Sequence, residues 1–338
     1  MRKKSRLNKS KRAKKRQAQA EKRKYDDYFK KYFNSEKTVK SRPVKVVLYA
    51  PEKLSLRYEY VEEMLKFIKE IKAVAKDNDY IQLHLVNVNY IGEGGIAMLL
   101  SVMSECLKKG VSFDGLKPSD EDCRVALEKS GFFNFLKGPI HFNREKFKNS
   151  ILTTGSNDTN IDRLLPEVYK AMETVWGTRG RCPLLVGGIG EMMRNSVDHA
   201  YSHGDKVAWH MTVSHIEEEN TVKFSFVDNG IGIIERYTEM DRNTISQIKL
   251  FLQNNYEILK EAFRSGIKSR TGLKWRGTGL PTIYEMYEDN IITDFVVITN
   301  DCYLNFRDET FTKLKVPFSG TYYYWIIDET CDDVHYEN

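Results

Sequence analysis

Between Val44 and Ser130 the chain passes from strand to helix periodicity three times, and this rhythm limits the fold more than any other feature. VKVVLYA (44–50) is rich in β-branched residues and reads as a strand. Val61, Leu65, Ile68, Ile71 and Ala75 then recur at three and four residues, which gives a helix one apolar face. IQLHLVNV (81–88) alternates as a strand, and EGGIAMLLSVMSECLKKG follows as a helix with Lys108 and Lys109 in its last turn and Gly110 as C-cap. VSFDGL is a third strand. Ser119-Asp120-Glu121-Asp122 opens a third helix with a capping-box pattern, running to about Ser130 and stopped by Gly131. An α/β unit is expected here.

Residues 136–158 are polar and punctuated by Gly138, Pro139 and Gly155, so the domain boundary is placed there. Beyond it, helices are expected over 160–178 and from Pro183 to about Ser202. VAWHMTVSHI and TVKFSFVD read as alternating strands joined by the acidic turn EEEN. The segment Ile233–Arg276 is charged throughout and helical in its middle. A Gly-rich turn, a helix and the strands DFVVITN, DCYLNF and TYYYWII complete the chain. Tyr322-Tyr323-Tyr324-Trp325 reads as a half-buried strand, with a stacking platform for bases as the alternative.

Composition removes several classes. Among 338 residues, 41% hydrophobic content excludes wholesale disorder. The best apolar run, Gly94–Val102, is far short of the roughly 18 residues of a membrane span, so no membrane partner is expected. The five cysteines form no CxxC, and with no secretory leader a reduced, cytoplasmic protein is expected. The net charge of +6 conceals a basic arm, because residues 1–24 hold 13 Lys+Arg and one Glu, which leaves the body net acidic. Such an arm is expected to be disordered, binding nucleic acid or a partner's acidic surface through residues 2–24.

Three segments of the second half carry chemistry. In Glu191-Met-Met-Arg-Asn195-Ser-Val-Asp-His199, helical spacing puts Glu191 and Asn195 one turn apart on one face. A carboxamide suits one position on Mg²⁺, which takes few protein ligands, and a carboxylate can orient or deprotonate water. An amphipathic helix with a polar outer face explains the same residues. His199 and His203 have helical metal spacing but lack an evident third ligand. Asp228-Asn229-Gly230-Ile231-Gly232 ends a strand; its carboxylate can accept from a base amine and its glycines admit close backbone approach, although Asp-Asn-Gly is also ordinary turn vocabulary. Arg276-Gly277-Thr278-Gly279-Leu280-Pro281 runs into a helix, whose N-terminal N–H groups make an anion cradle.

In this order, and with Gly320-Thr321 opening the last strand, these segments resemble the Bergerat-fold GHKL ATPases (gyrase, the heat-shock chaperone of that fold, histidine kinases and mismatch-repair ATPases) over residues 155–330. The resemblance implies ATP and Mg²⁺ as cofactors, Asn195 as metal ligand and Glu191 as general base. It implies that Asp228 binds the adenine amine with Thr321 in support, and that Gly230, Gly232, Gly277, Thr278, Gly279 and Leu280 line the nucleotide beside His199. It makes 233–276 a lid, with Lys268, Arg270, Lys274 and Arg276 as phosphate cations.

Residues 44–135 resemble the STAS domain of anti-anti-sigma factors, except that the turn which often carries a phosphorylatable serine reads Gly92-Glu93-Gly94-Gly95, with no hydroxyl. The expected fold class is thus α/β. A basic disordered tail and linker (1–43) precede a small STAS-like domain (44–150) and a Bergerat-fold sandwich with a mixed sheet and helices on one face (151–338). The expected activity is Mg-dependent ATP binding with slow hydrolysis that switches a lid or partner. The alternatives are an anti-sigma-like regulator or serine/threonine kinase acting on a partner protein, and an ATP-gated nucleic-acid clamp; a homodimer is compatible with each.

Overall fold

The computed structural model describes residues 46–92, 94–130, 132–133, 150–154, 159–177, 180, 182–199, 209–240, 255–265 and 279–332. The first half begins with strands β1 (Val46–Tyr49) and β2 (Lys53–Leu54), helix α1 (Val61–Val74), and strands β3 (Tyr80–His84) and β4 (Tyr90–Ile91). Helix α2 (Gly95–Lys108), strand β5 (Ser112–Leu116) and helix α3 (Glu121–Lys129) follow. The strand and helix segments read from sequence overlap these elements, except that β2 and β4 were not read and the strand read over 81–88 ends at His84. Asp120 caps α3 by accepting from Cys123 N at 2.9 Å, and Gly110 follows α2 with φ 90°. β1, β3 and β5 form a three-stranded sheet, β2 and β4 a two-stranded one, and every pairing in both is parallel.

The second half opens with β6 (Ser150–Thr154), inside the stretch read as a polar boundary. Helices α4 (Leu165–Trp176) and α5 (Pro183–His199), strands β7 (Trp209–Ile216) and β8 (Thr221–Asp228), and helices α6 (Ile233–Met240), α7 (Asn255–Ser265) and α8 (Gly279–Glu288) come next. The last elements are β9 (Thr293–Asn305) and β10 (Thr310–Ile327). The five strands pair in the order β6-β7-β8-β10-β9. Every one of these pairings is antiparallel, so a mixed sheet is not what forms here; the parallel pairs belong to the first half.

Two further expectations are corrected. DFVVITN and DCYLNF are one strand, in which Asn300 (φ 51°) lies opposite a bulge whose surplus residues are on β10. The bulge switches the alternation: Phe295 and Val297 face the helices before it, Cys302 and Leu304 after it. The aromatic run Tyr322–Trp325 is fully buried, at 5% exposure or less, and offers no stacking platform.

Burial on both faces of the sheet explains this. Tyr323, Trp325 and Ile327 of β10 enter a core with α4, α5, α7 and α8. Tyr322, Tyr324 and Ile326 enter a second core with Met64, Ile68 and Ile71 of α1 and Met98 and Val102 of α2. Helices therefore cover one face and the first half covers the other. Glu62 of α1 adds a polar tie, accepting from the backbone N–H groups of Lys315 and Val316 at 2.6 and 3.1 Å. All five cysteines are buried free thiols. No helix among the described residues is long and apolar enough to cross a membrane.

Candidate functional site

Helix α5 supplies the first two groups. Leu185, Ile189, Met192 and Met193 bury one face in the core, which leaves Glu191, Arg194 and Asn195 on the outer side. Helix α8 packs closely across α5 because residue 188 is glycine: a Cβ there would lie 2.4 Å from Met286 Sδ. This approach brings the first residue of α8 onto the polar side of α5. Measured from the place a Cβ on Gly279 would take, Glu191 Oε2 is 3.0 Å away and Asn195 Oδ1 3.6 Å away. Two expected site oxygens and one expected site glycine thus converge on the N-terminal turn of α8, where unpaired N–H groups favour an anion.

Glu191 also has a partner that the sequence reading left out. Arg194, one turn along, pairs with its carboxylate through both Nη2 and Nε, the latter at 3.3 Å from Oε2.

Asp228 ends β8 opposite Thr321 of β10 and is 4% exposed. Burial raises its pKa above the ordinary carboxylate value, while bonds from Gly230, Ser196 and Thr321 and the positive charge of Lys72 oppose the rise. Its Oδ1 accepts from Gly230 N at 2.8 Å and Thr321 N at 3.3 Å, and its Oδ2 accepts from Ser196 Oγ at 2.9 Å. Thr321 therefore supports Asp228 through its backbone. Ser196 directly follows Asn195, so one hydroxyl locks the Glu191–Asn195 helix to the carboxylate. Oδ2 keeps accepting capacity beyond that bond, which fits a carboxylate that reads an amine.

The loop after Asp228 is held by residues that sequence reasoning missed. Gly232 has φ 84°, and a Cβ there would sit 2.4 Å from Asn300 Oδ1, so both conformation and space require glycine. Asn300 accepts from Ile234 N at 2.9 Å and donates to Ile231 O at 2.8 Å. Thr299 Oγ1 accepts from Ile233 N and donates to Gly320 O, both at 2.9 Å. Together they cap α6 and fix the loop. The parity switch of the apolar pattern around Asn300 was the available signal.

Leu280 is buried in the helical core, which makes it a packing residue of α8. Lys268, Arg270, Lys274, Arg276, Gly277 and Thr278 lie outside the described residues, as do the side chain of His199, the turn residue Glu93 and the basic arm. Of the expected lid, α6 and α7 are described, and Leu259, Ala262 and Phe263 of α7 are buried in the core. No group of three or more His, Cys, Asp or Glu that could hold a metal occurs among the described residues. No protein-family model matches the chain, and no curated protein matches it.

Proposed function

We propose that the second half is a GHKL-type, Bergerat-fold ATP-binding module that hydrolyses ATP slowly, and that the first half is a STAS-like unit. One observation carries the reading. Segments separated by tens of residues, each matching one part of that motif set, meet in one place: Glu191 and Asn195 face Gly279, and Asp228 is buried and bonded to Ser196 beside them. In this reading the Asp228 carboxylate accepts from the adenine amine, and the α8 N-terminus receives phosphate. Mg²⁺, held by Asn195 and the phosphates, supplies charge neutralisation when bound. Glu191 accepts a proton from water, and Arg194 orients its carboxylate.

Calorimetric titration with Mg–ATP tests the binding. Wild type is expected to bind, and Asp228→Asn to bind about tenfold to a hundredfold more weakly through loss of a buried hydrogen bond. Equal affinity in the variant removes the adenine assignment.

A second reading, an ATP-dependent sensor or serine/threonine kinase with little hydrolysis, is favoured by the ion pair that already engages Glu191. Radiolabelled ATP separates the two. Free phosphate supports the ATPase, and label on a partner protein supports the kinase.

A further inference from the structure

The turn that follows Asp228 is gripped from the other half of the chain. Asn229 donates from Nδ2 to Ser101 Oγ at 2.6 Å and accepts at Oδ1 from Lys72 Nζ at 3.1 Å. Ser101 is fully buried on α2, and Lys72 lies near the end of α1. Lys72 is held in turn by Glu105, one turn beyond Ser101, at 3.2 Å, and Glu105 also pairs with Lys109 at 2.7 Å. Burial pushes the Glu105 carboxyl up, yet Lys72 and Lys109 together bring it below its ordinary value, so it stays ionised and fixes Lys72. Both polar ends of the Asn229 amide thus bond to groups 128 and 157 residues away in the sequence.

The neighbours of Asn229 are the groups that the nucleotide reading needs. Asp228 precedes it, and the N–H of Gly230 after it bonds Asp228 Oδ1 at 2.8 Å. Asn229 sits inside this three-residue turn, so it cannot move without tilting the carboxylate. We propose that Ser101 and Lys72 are positioning residues for nucleotide binding. The first half clamps Asn229, presets the Asp228 turn, and so sets the affinity of the second half for the purine base. The inference rests on the ATP-binding reading above. Its chemistry is reciprocal: if the clamp raises nucleotide affinity, bound nucleotide must tighten the clamp by the same factor.

The test uses the full chain and Mg–ATP. Titration calorimetry is run on wild type, Asp228→Asn, Ser101→Ala, Lys72→Met, Asn229→Ala and the Ser101→Ala/Asn229→Ala double variant, with the unfolding midpoint of each nucleotide-free protein measured alongside. Ser101→Ala and Lys72→Met are each expected to weaken binding about 3- to 10-fold, the range of one or two hydrogen bonds, with midpoints near that of wild type. The double variant should bind no more weakly than Asn229→Ala alone, because Ser101 acts through Asn229. Hydrogen exchange adds a readout that needs no substitution: Mg–ATP should slow exchange at the α2 amides around Ser101 in wild type and leave them unchanged in Asn229→Ala.

If wild type binds no nucleotide, the ATP reading falls; if Asp228→Asn binds as wild type does, the adenine assignment falls; in either case this inference falls with it. If Asp228→Asn loses binding while Ser101→Ala and Lys72→Met match wild type, the reading stands and the clamp is overturned. Additive losses in the double variant, or α2 exchange indifferent to nucleotide, overturn it as well.

Discussion

A carboxylate buried as deeply as Asp228 must be compensated or it destabilises the fold. Two backbone N–H groups and one hydroxyl, from Gly230, Thr321 and Ser196, supply that compensation. Glu191 differs, for it is half-buried and engaged by Arg194 alone among the bonds described. Glu191→Ala is therefore expected to retain Mg–ATP binding and lower phosphate release about 100-fold or more. Steady-state phosphate assays check this, and unchanged release would transfer the case to the sensor or kinase reading.

Histidine titration gives a second residue-scale prediction. His210 is 3% exposed, its Nδ1 has no hydrogen-bond partner among the described residues, and burial with nearby Lys108 lowers its pKa to about 3. His215 is lowered to about 4 by burial and Lys170. Between those values and the ordinary 6.5 the unfolded chain takes up protons that the folded chain refuses. Stability from these groups is thus complete above about pH 6.5 and lost as pH falls, by up to about 1.4 kcal/mol per pH unit for each histidine. The raised Asp228 works with the opposite sign, so the useful quantity is a difference. Urea unfolding at pH 7 and pH 5 should show wild type losing about 1–2 kcal/mol more than His210→Leu. Equal losses would mean that His210 is protonated in the fold.

At the scale of elements, β9 shows why part of the site was hidden in the sequence. Glu191, Asn195, Asp228 and Gly279 were legible because each belongs to a short segment whose residue types already suggest chemistry. Thr299 and Asn300 were not, because an Asn-Asp pair between apolar runs has the composition of a turn. Only the bulged partner strand β10 and the start of α6 show it to be part of a continuous strand that caps a helix. Ser196, Ser101 and Lys72 were hidden for a related reason, since their partners lie more than 30 residues away and leave no periodic trace. Asn300→Ala removes both loop bonds and places a Cβ residue without local hydrogen bonding at φ 51°. It is expected to cost about 1–3 kcal/mol in chemical unfolding. Asn300→Gly, which relieves the backbone, should cost less. A variant as stable as wild type would show that the cap is dispensable.

At the scale of the molecule, the division of the chain near residue 150 is not a division of its packing. The core that contains α1 and α2 also holds Val227, Val296, Ile298, Tyr322 and Tyr324 of the large sheet. The sequence reading placed a domain boundary between the halves, since periodicity reports which face of an element is apolar but not what covers it. A shared core predicts one cooperative unfolding transition, with the calorimetric enthalpy matching the van't Hoff value. Two resolved transitions in scanning calorimetry would show that the halves unfold independently.

The position of β10 also bears on how the protein is made. Its alternate side chains complete the cores on both sides of the sheet, and every other described element precedes it in the chain. During vectorial synthesis α1 and α2 therefore leave the ribosome long before the strand they will lie against, and so do α4 and α5. A nascent chain stopped before Thr310 has two half-built interiors and no strand between β8 and β9. Such a chain is the form that chaperones and proteases should engage, and release of the final strand closes both interiors at once.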